Sequence, residues 1–124
     1  MSAVALAIVI LVVAVTAGVH KHDQGAGDRR NDPLVTTPGD AFVEIRGHAF
    51  QPGNLRVPLG AVVTWTNRDA ERHTATSFDV GFDTGILARG ETASIVMKVP
   101  GVYEYRCLPH PFMLARIEVV VSGS

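Results

Sequence analysis

The sequence predicts an all-β sandwich or barrel preceded by an N-terminal apolar helix, and three observations carry that expectation. Apolar and polar residues alternate with period two in several short windows. Gly- and Pro-containing turn signals separate those windows, and no window shows an amphipathic helix of three turns. The first nineteen residues stand apart, apolar throughout and without a charged side chain. The chain of 124 residues supports one small domain, and 47% hydrophobic with 19% charged residues is the balance of a globular protein. A formal net charge of −1 points to no nucleic-acid partner, which would need a basic face.

Residues 1–19 (MSAVALAIVILVVAVTAGV) reach the lower limit of a bilayer-spanning helix. They read as a membrane anchor or a secretory signal, with the small residues Ala17 and Gly18 available for cleavage. Both readings imply export. The cations that follow, Lys21, Arg29 and Arg30, argue in the opposite sense. Residues 20–40 turn to Gly, Asp, Arg, Pro and Thr without periodicity, which predicts a flexible linker. The His20–His22 pair within it is a solvated feature. Residues 41–124 remain as the folded domain.

In residues 41–46, Ala41, Val43 and Ile45 share a face opposite Phe42, Glu44 and Arg46. Val63 and Trp65 do the same in residues 61–67, opposite Thr64 and Thr66. In residues 92–99 the inward set is Ala93, Ile95, Met97 and Val99, and in residues 114–121 it is Ala115, Ile117, Val119 and Val121. Gln51-Pro52-Gly53-Asn54, Pro58-Leu59-Gly60, Arg89-Gly90 and Pro100-Gly101 read as turns. Residues 101–107 (GVYEYRC) place Tyr103, Tyr105 and Cys107 on one face and Glu104 and Arg106 on the other. The charged face must be solvated, so the Cys107 thiol points inward at the strand's end, on the rim of the sandwich.

That cysteine is the only one in the chain, and it opens the run CLPHPFM. His110 and Met113 follow it at spacings of three and six, among Pro109, Pro111 and Phe112. His73 lies upstream, in a loop after Trp65-Thr66-Asn67, at the same end of an antiparallel sandwich. Four chemistries use such residues. Two imidazoles and a thiolate with a weak thioether form the ligand set of an electron-transfer copper site. A structural zinc site would prefer four strong ligands. A Cys–His nucleophile needs exposure and a base-orienting partner, neither of which the sequence supplies. A buried thiol acting as a small hydrophobe would leave the histidines unrelated.

The run CLPHPFM, together with FQPGNLRVPLG, VVTWTN, the Asn67-to-His73 spacing, FDTGILARGE and PGVYEYRC, resembles the cupredoxins, or small blue copper proteins. The match is closest to the amicyanin-like branch of the plastocyanin family and covers about residues 41–121. It implies a Greek-key, cupredoxin-like β-sandwich with copper held by His73, Cys107, His110 and Met113, and Asn67 bracing the ligand loop by hydrogen bonding. Leu108 departs from the pattern: many relatives carry Ser or Thr there, so an Asn67 bond to this loop would have to use the backbone. His48 matches no ligand role, and Met97 fits a core position. The resemblance further implies a type 1 (blue) copper electron-transfer protein, a carrier rather than an enzyme. It would cycle Cu(II)/Cu(I) between periplasmic or extracytoplasmic redox proteins, as a monomer that docks transiently through Pro109, Pro111 and Phe112. Its membrane link would be the N-terminal segment. The alternative is a copper-binding module for metal delivery or storage.

Overall fold

The computed structural model describes residues 27–79 and 81–121, so the expected helix and anchor over residues 1–19 lie outside the described residues. Nine strands run in chain order: β1 (Val35–Thr36), β2 (Ala41–Ile45), β3 (Phe50–Gln51), β4 (Asn54–Pro58), β5 (Val62–Asn67), β6 (Thr76–Ser77), β7 (Thr92–Val96), β8 (Gly101–Arg106) and β9 (Leu114–Val120). They form two mixed sheets, ordered β1-β4-β9-β8-β6 and β3-β2-β5-β7. Among the described residues there is no helix. The Greek-key β-sandwich expected from the sequence is the fold that forms, with the chain crossing repeatedly between sheets so that sequence neighbours rarely pair.

Alternation explains the core. Val43, Ile45, Val63, Trp65, Leu55, Val57, Ile117 and Val119 project into the space between the sheets and are buried. Trp65, Phe50, Phe82 and Tyr105 form its aromatic centre, with ring centroids 4.7–5.7 Å apart. The Trp65 indole N–H donates to the Tyr105 hydroxyl at 3.2 Å, which leaves neither buried polar group unpaired. Val99 and Val121, expected inward, are 61% and 51% exposed. Both lie beyond the last residues of β7 and β9, where the pleat no longer dictates direction.

Two stretches differ from the sequence expectation. Residues 54–58, given no strand between the turns expected at Gln51-Pro52-Gly53-Asn54 and Pro58-Leu59-Gly60, form β4 in the interior of its sheet, parallel to β9. Pro58 closes that strand, where its missing N–H does least harm. Residues 27–40, expected to belong to a flexible linker over residues 20–40, pack on the sandwich. From Gly27 onward the chain lies on the domain: Leu114 N–H donates to Gly27 O (2.8 Å), Arg29 N–H donates to Leu114 O (2.9 Å), and β1 pairs with β4. Arg30 adds ion pairs to Asp28 (2.7 Å) and Glu104 (3.1 Å). These polar bonds hold a segment too hydrophilic to show periodicity.

Candidate metal centre

Strand pairing builds the centre. Thr76 of β6 lies opposite Arg106 of β8, so residues 73–75 running into β6 face residues 107–108 running out of β8. Leu108 N–H donates to Thr74 Oγ1 (3.0 Å) and Thr74 N–H donates to Cys107 Sγ (3.4 Å), fixing the two segments together. Cys107 follows the last residue of β8 and is fully buried, its sulfur accepting that Thr74 amide.

Its sulfur lies 3.5 Å from His73 Nδ1 and 3.9 Å from His110 Nδ1. All three donor atoms fall within 4.8 Å of one another. Donors bound at about 2.0–2.3 Å to one tetrahedral ion stand roughly 3.3–3.8 Å apart, so the spacing suits a shared metal. Met113 is fully buried at the far end of the same loop. Cys107 N–H donates to Met113 O (3.3 Å) and Met113 N–H to His110 O (2.9 Å), which closes the loop on itself. A set of one thiol and two imidazoles, with a methionine buried at the end of the same loop, fits copper better than zinc.

His73 is held from behind. Its backbone pairs with Leu87 in both directions, and its Nε2 lies 2.9 Å from Asp69 Oδ2. A carboxylate can only accept, so Nε2 carries the proton and the Nδ1 lone pair is left facing Cys107. Burial lowers the pKa of His73 and outweighs the opposing pull of Asp69, which favours the neutral ring a metal requires. Burial pushes the Asp69 carboxyl up, but the amides of His48 and Gly47 and the His73 ring together hold it below the usual aspartate range.

Sequence reasoning missed Asp69 and set His48 aside. Asp69 had a visible signal, its i,i+4 spacing to His73. His48 had none, because its neighbours come from distant parts of the chain. Gly47 and His48 form a two-residue hairpin turn between β2 and β3, with φ of +62° and +56°. A left-handed histidine costs about 1 kcal/mol, and Asp69 offsets this by accepting both turn amides, Gly47 at 2.7 Å and His48 at 2.9 Å. The His48 ring is thereby set edge-on to His73 and His110, at 5.2 and 5.1 Å between centroids, and roughly parallel to Phe112.

Asn67 braces a different loop from the one expected. Its side-chain amide donates to Glu71 O and Leu87 O, both at 2.8 Å, and its oxygen accepts the Asp69 N–H at 2.9 Å. These bonds shape the turn that presents Asp69 and His73. Among the described residues, the loop of Cys107 is tied instead through Thr74. Leu108 therefore removes no bond that Asn67 makes here, and its side chain is 49% exposed. Phe112 is 56% exposed, Pro109 and Pro111 are exposed, and His110 is only partly covered. Met97 is buried in the core, away from the donor set.

Comparison with known proteins agrees with this geometry. Residues 40–122 match the family model of copper binding proteins of the plastocyanin/azurin family. The chain is 34% identical over 91 residues to amicyanin-alpha of Methylorubrum extorquens, covering 65% of this chain and 72% of that one. It is 32% identical over 91 residues to amicyanin of Paracoccus denitrificans, covering 65% of this chain and 66% of the relative. A purple cupredoxin of Nitrosopumilus maritimus superposes with a TM-score of 0.60 at 33% identity, over 65% of this chain and all of that one. A copper-containing nitrite reductase of Thermus scotoductus gives 0.66 at 29% identity, but over only 28% of its length and 70% of this chain. The chain is a cupredoxin, an amicyanin-like member of the plastocyanin/azurin family of copper-binding proteins.

Proposed function

We propose that His73, Cys107, His110 and Met113 hold one copper ion in a type 1 site, and that the protein carries single electrons between extracytoplasmic redox proteins. The observation that carries this reading is the convergence of the Cys107 thiol with two imidazole Nδ1 atoms at 3.5 and 3.9 Å, beside a buried methionine. Copper bound there would supply reversible one-electron exchange, with no bond made or broken on a substrate.

The chain's own residues suit that task. The Thr74 amide directed at Cys107 Sγ stabilises negative charge on the sulfur, a feature that tunes the potential of such sites. Backbone bonds within the 107–113 loop and the Asp69 clamp on His73 limit rearrangement between oxidation states. His110 reaches the surface amid Leu108, Pro109, Pro111 and Phe112, a small apolar patch suited to brief docking. The protein acts as a carrier and not as an enzyme. Residues 1–19 serve as anchor or export signal for the copper-binding domain. Metal delivery or storage would call for accessible ligands, whereas Cys107, His73 and Met113 are buried.

The test is a titration of the purified chain with Cu(II). One equivalent is expected to give an intense visible absorption from thiolate-to-copper charge transfer, absent in Cys107→Ser. A colourless protein that takes up zinc in preference to copper overturns the reading.

A further inference from the structure

The first described residue, Gly27, lies against the docking patch itself. A Cβ placed on Gly27 would stand 2.7 Å from the Phe112 ring and 2.8 Å from its carbonyl oxygen. Gly27 O also accepts the N–H of Leu114, the residue after Met113. Gly27 therefore lies at the metal end of the sandwich, beside Phe112, and not at the opposite end where Gly60 and Gly101 lie before β5 and at the start of β8. Only eight peptide steps separate Val19, the last residue of the uncharged apolar run, from Gly27. Fully extended, eight steps span at most about 29 Å.

We propose that the docking face of this protein is confined to the membrane that holds residues 1–19, and that its partner is a redox protein embedded in that same membrane. This rests on the anchor reading given above. The argument is one of attachment and length. A tether fixed at the far end of the domain would let the His110 edge swing away from the bilayer. One fixed beside Phe112 keeps that edge within about 29 Å of the lipid surface, whatever the domain's orientation. A membrane protein whose redox centre opens at the surface meets the patch there at high effective concentration. A bulky soluble protein has to enter the gap between domain and bilayer to reach the same patch.

The experiment uses the full chain in phosphatidylcholine vesicles and nanodiscs, beside a variant with twenty Gly/Ser residues inserted after Gln24. In the metal-free chain, nitroxide-headgroup lipids are expected to broaden the amide signals of Leu108 and Phe112 more than those of Gly60 and Gly101, with the contrast lost in the lengthened variant. In the copper-loaded chain, a ferrocene-headgroup lipid acts as a membrane-held donor: ferrocene becomes ferrocenium as the bound Cu(II) takes one electron. Lengthening the tether from eight to 28 steps is expected to slow that exchange about sixfold. Exchange with soluble cytochrome c is expected to quicken in the same variant, an opposite change that damage to the fold cannot produce. A chain that fails to float with the vesicles overturns the anchor reading and this proposal with it. A chain that floats, yet shows no end-to-end contrast and no dependence on tether length, overturns this proposal alone and leaves the copper site standing.

Discussion

Trp65 and Tyr105 show how single residues secure the floor under the metal end. Both are fully buried, and each supplies the other's polar partner through the 3.2 Å bond from indole N–H to hydroxyl. Tyr105 lies in β8 two residues before Cys107, which follows the end of that strand, so its ring anchors the strand that leads to the thiol. Tyr105→Phe keeps the ring and strands the indole donor. The expected cost is about 1–3 kcal/mol, the penalty for an unsatisfied buried group, read as a lower urea midpoint with an unchanged slope. A midpoint equal to that of the wild type would show that the bond contributes nothing. At this scale the sequence singled out Cys107, His110, Met113 and His73 as candidate donors, and the structure brings Cys107, His73 and His110 together with Met113 buried at the end of the same loop. The sequence concealed His48, whose ring reaches His73 and His110 only through a left-handed turn hooked to Asp69.

Among the elements, the segment from Gly27 to Thr36 is the one the sequence describes least well. It is polar, and β1 has only two residues, both exposed, so no periodicity can mark it. What fixes it is pairing to β4 and the Asp28–Arg30–Glu104 cluster. Hydrogen bonding from Arg30 holds the Asp28 carboxyl below its ordinary value of 3.8, against a smaller effect of burial. The unfolded chain then binds the proton at higher pH than the folded one, so this contribution is fully present above about 3.8 and is lost as pH falls through the lowered folded value. Because the pair is about one-third exposed, solvent limits it to less than about 1 kcal/mol. Asp28→Asn is expected to unfold at lower urea at neutral pH, with the gap from wild type closing in acid below the ordinary aspartate range. A gap that widens in acid would contradict the sign. The strands β2, β5, β8 and β9 were legible because each buries one face only; β4 was hidden by the prolines and glycine that flank it.

Among the described residues, the decisive feature is that His73, Cys107 and His110, the exposed apolar patch around them and Gly27 share one end of the sandwich. Phe112→Asp places a charge in that patch while leaving Cys107, His73 and Met113 buried beneath it. The expected outcome is an unchanged visible spectrum after copper loading with slower electron exchange toward protein partners, measured by stopped flow; His110→Gly is expected to slow exchange as well. Unchanged rates in both variants would remove the patch from the route.

The sequence by itself determined the β class, the inward face of each one-sided strand and the candidate donors. Those depend on local periodicity and on the chemistry of residue types. The tertiary structure alone decided that Asn67 donates to Leu87 beside the turn of His73, that the loop of Leu108 is tied to Thr74, and that Gly27 lies beside Phe112. Each of these joins residues from segments that only sheet pairing brings together, and no local pattern in a chain records which partners the pairing will supply.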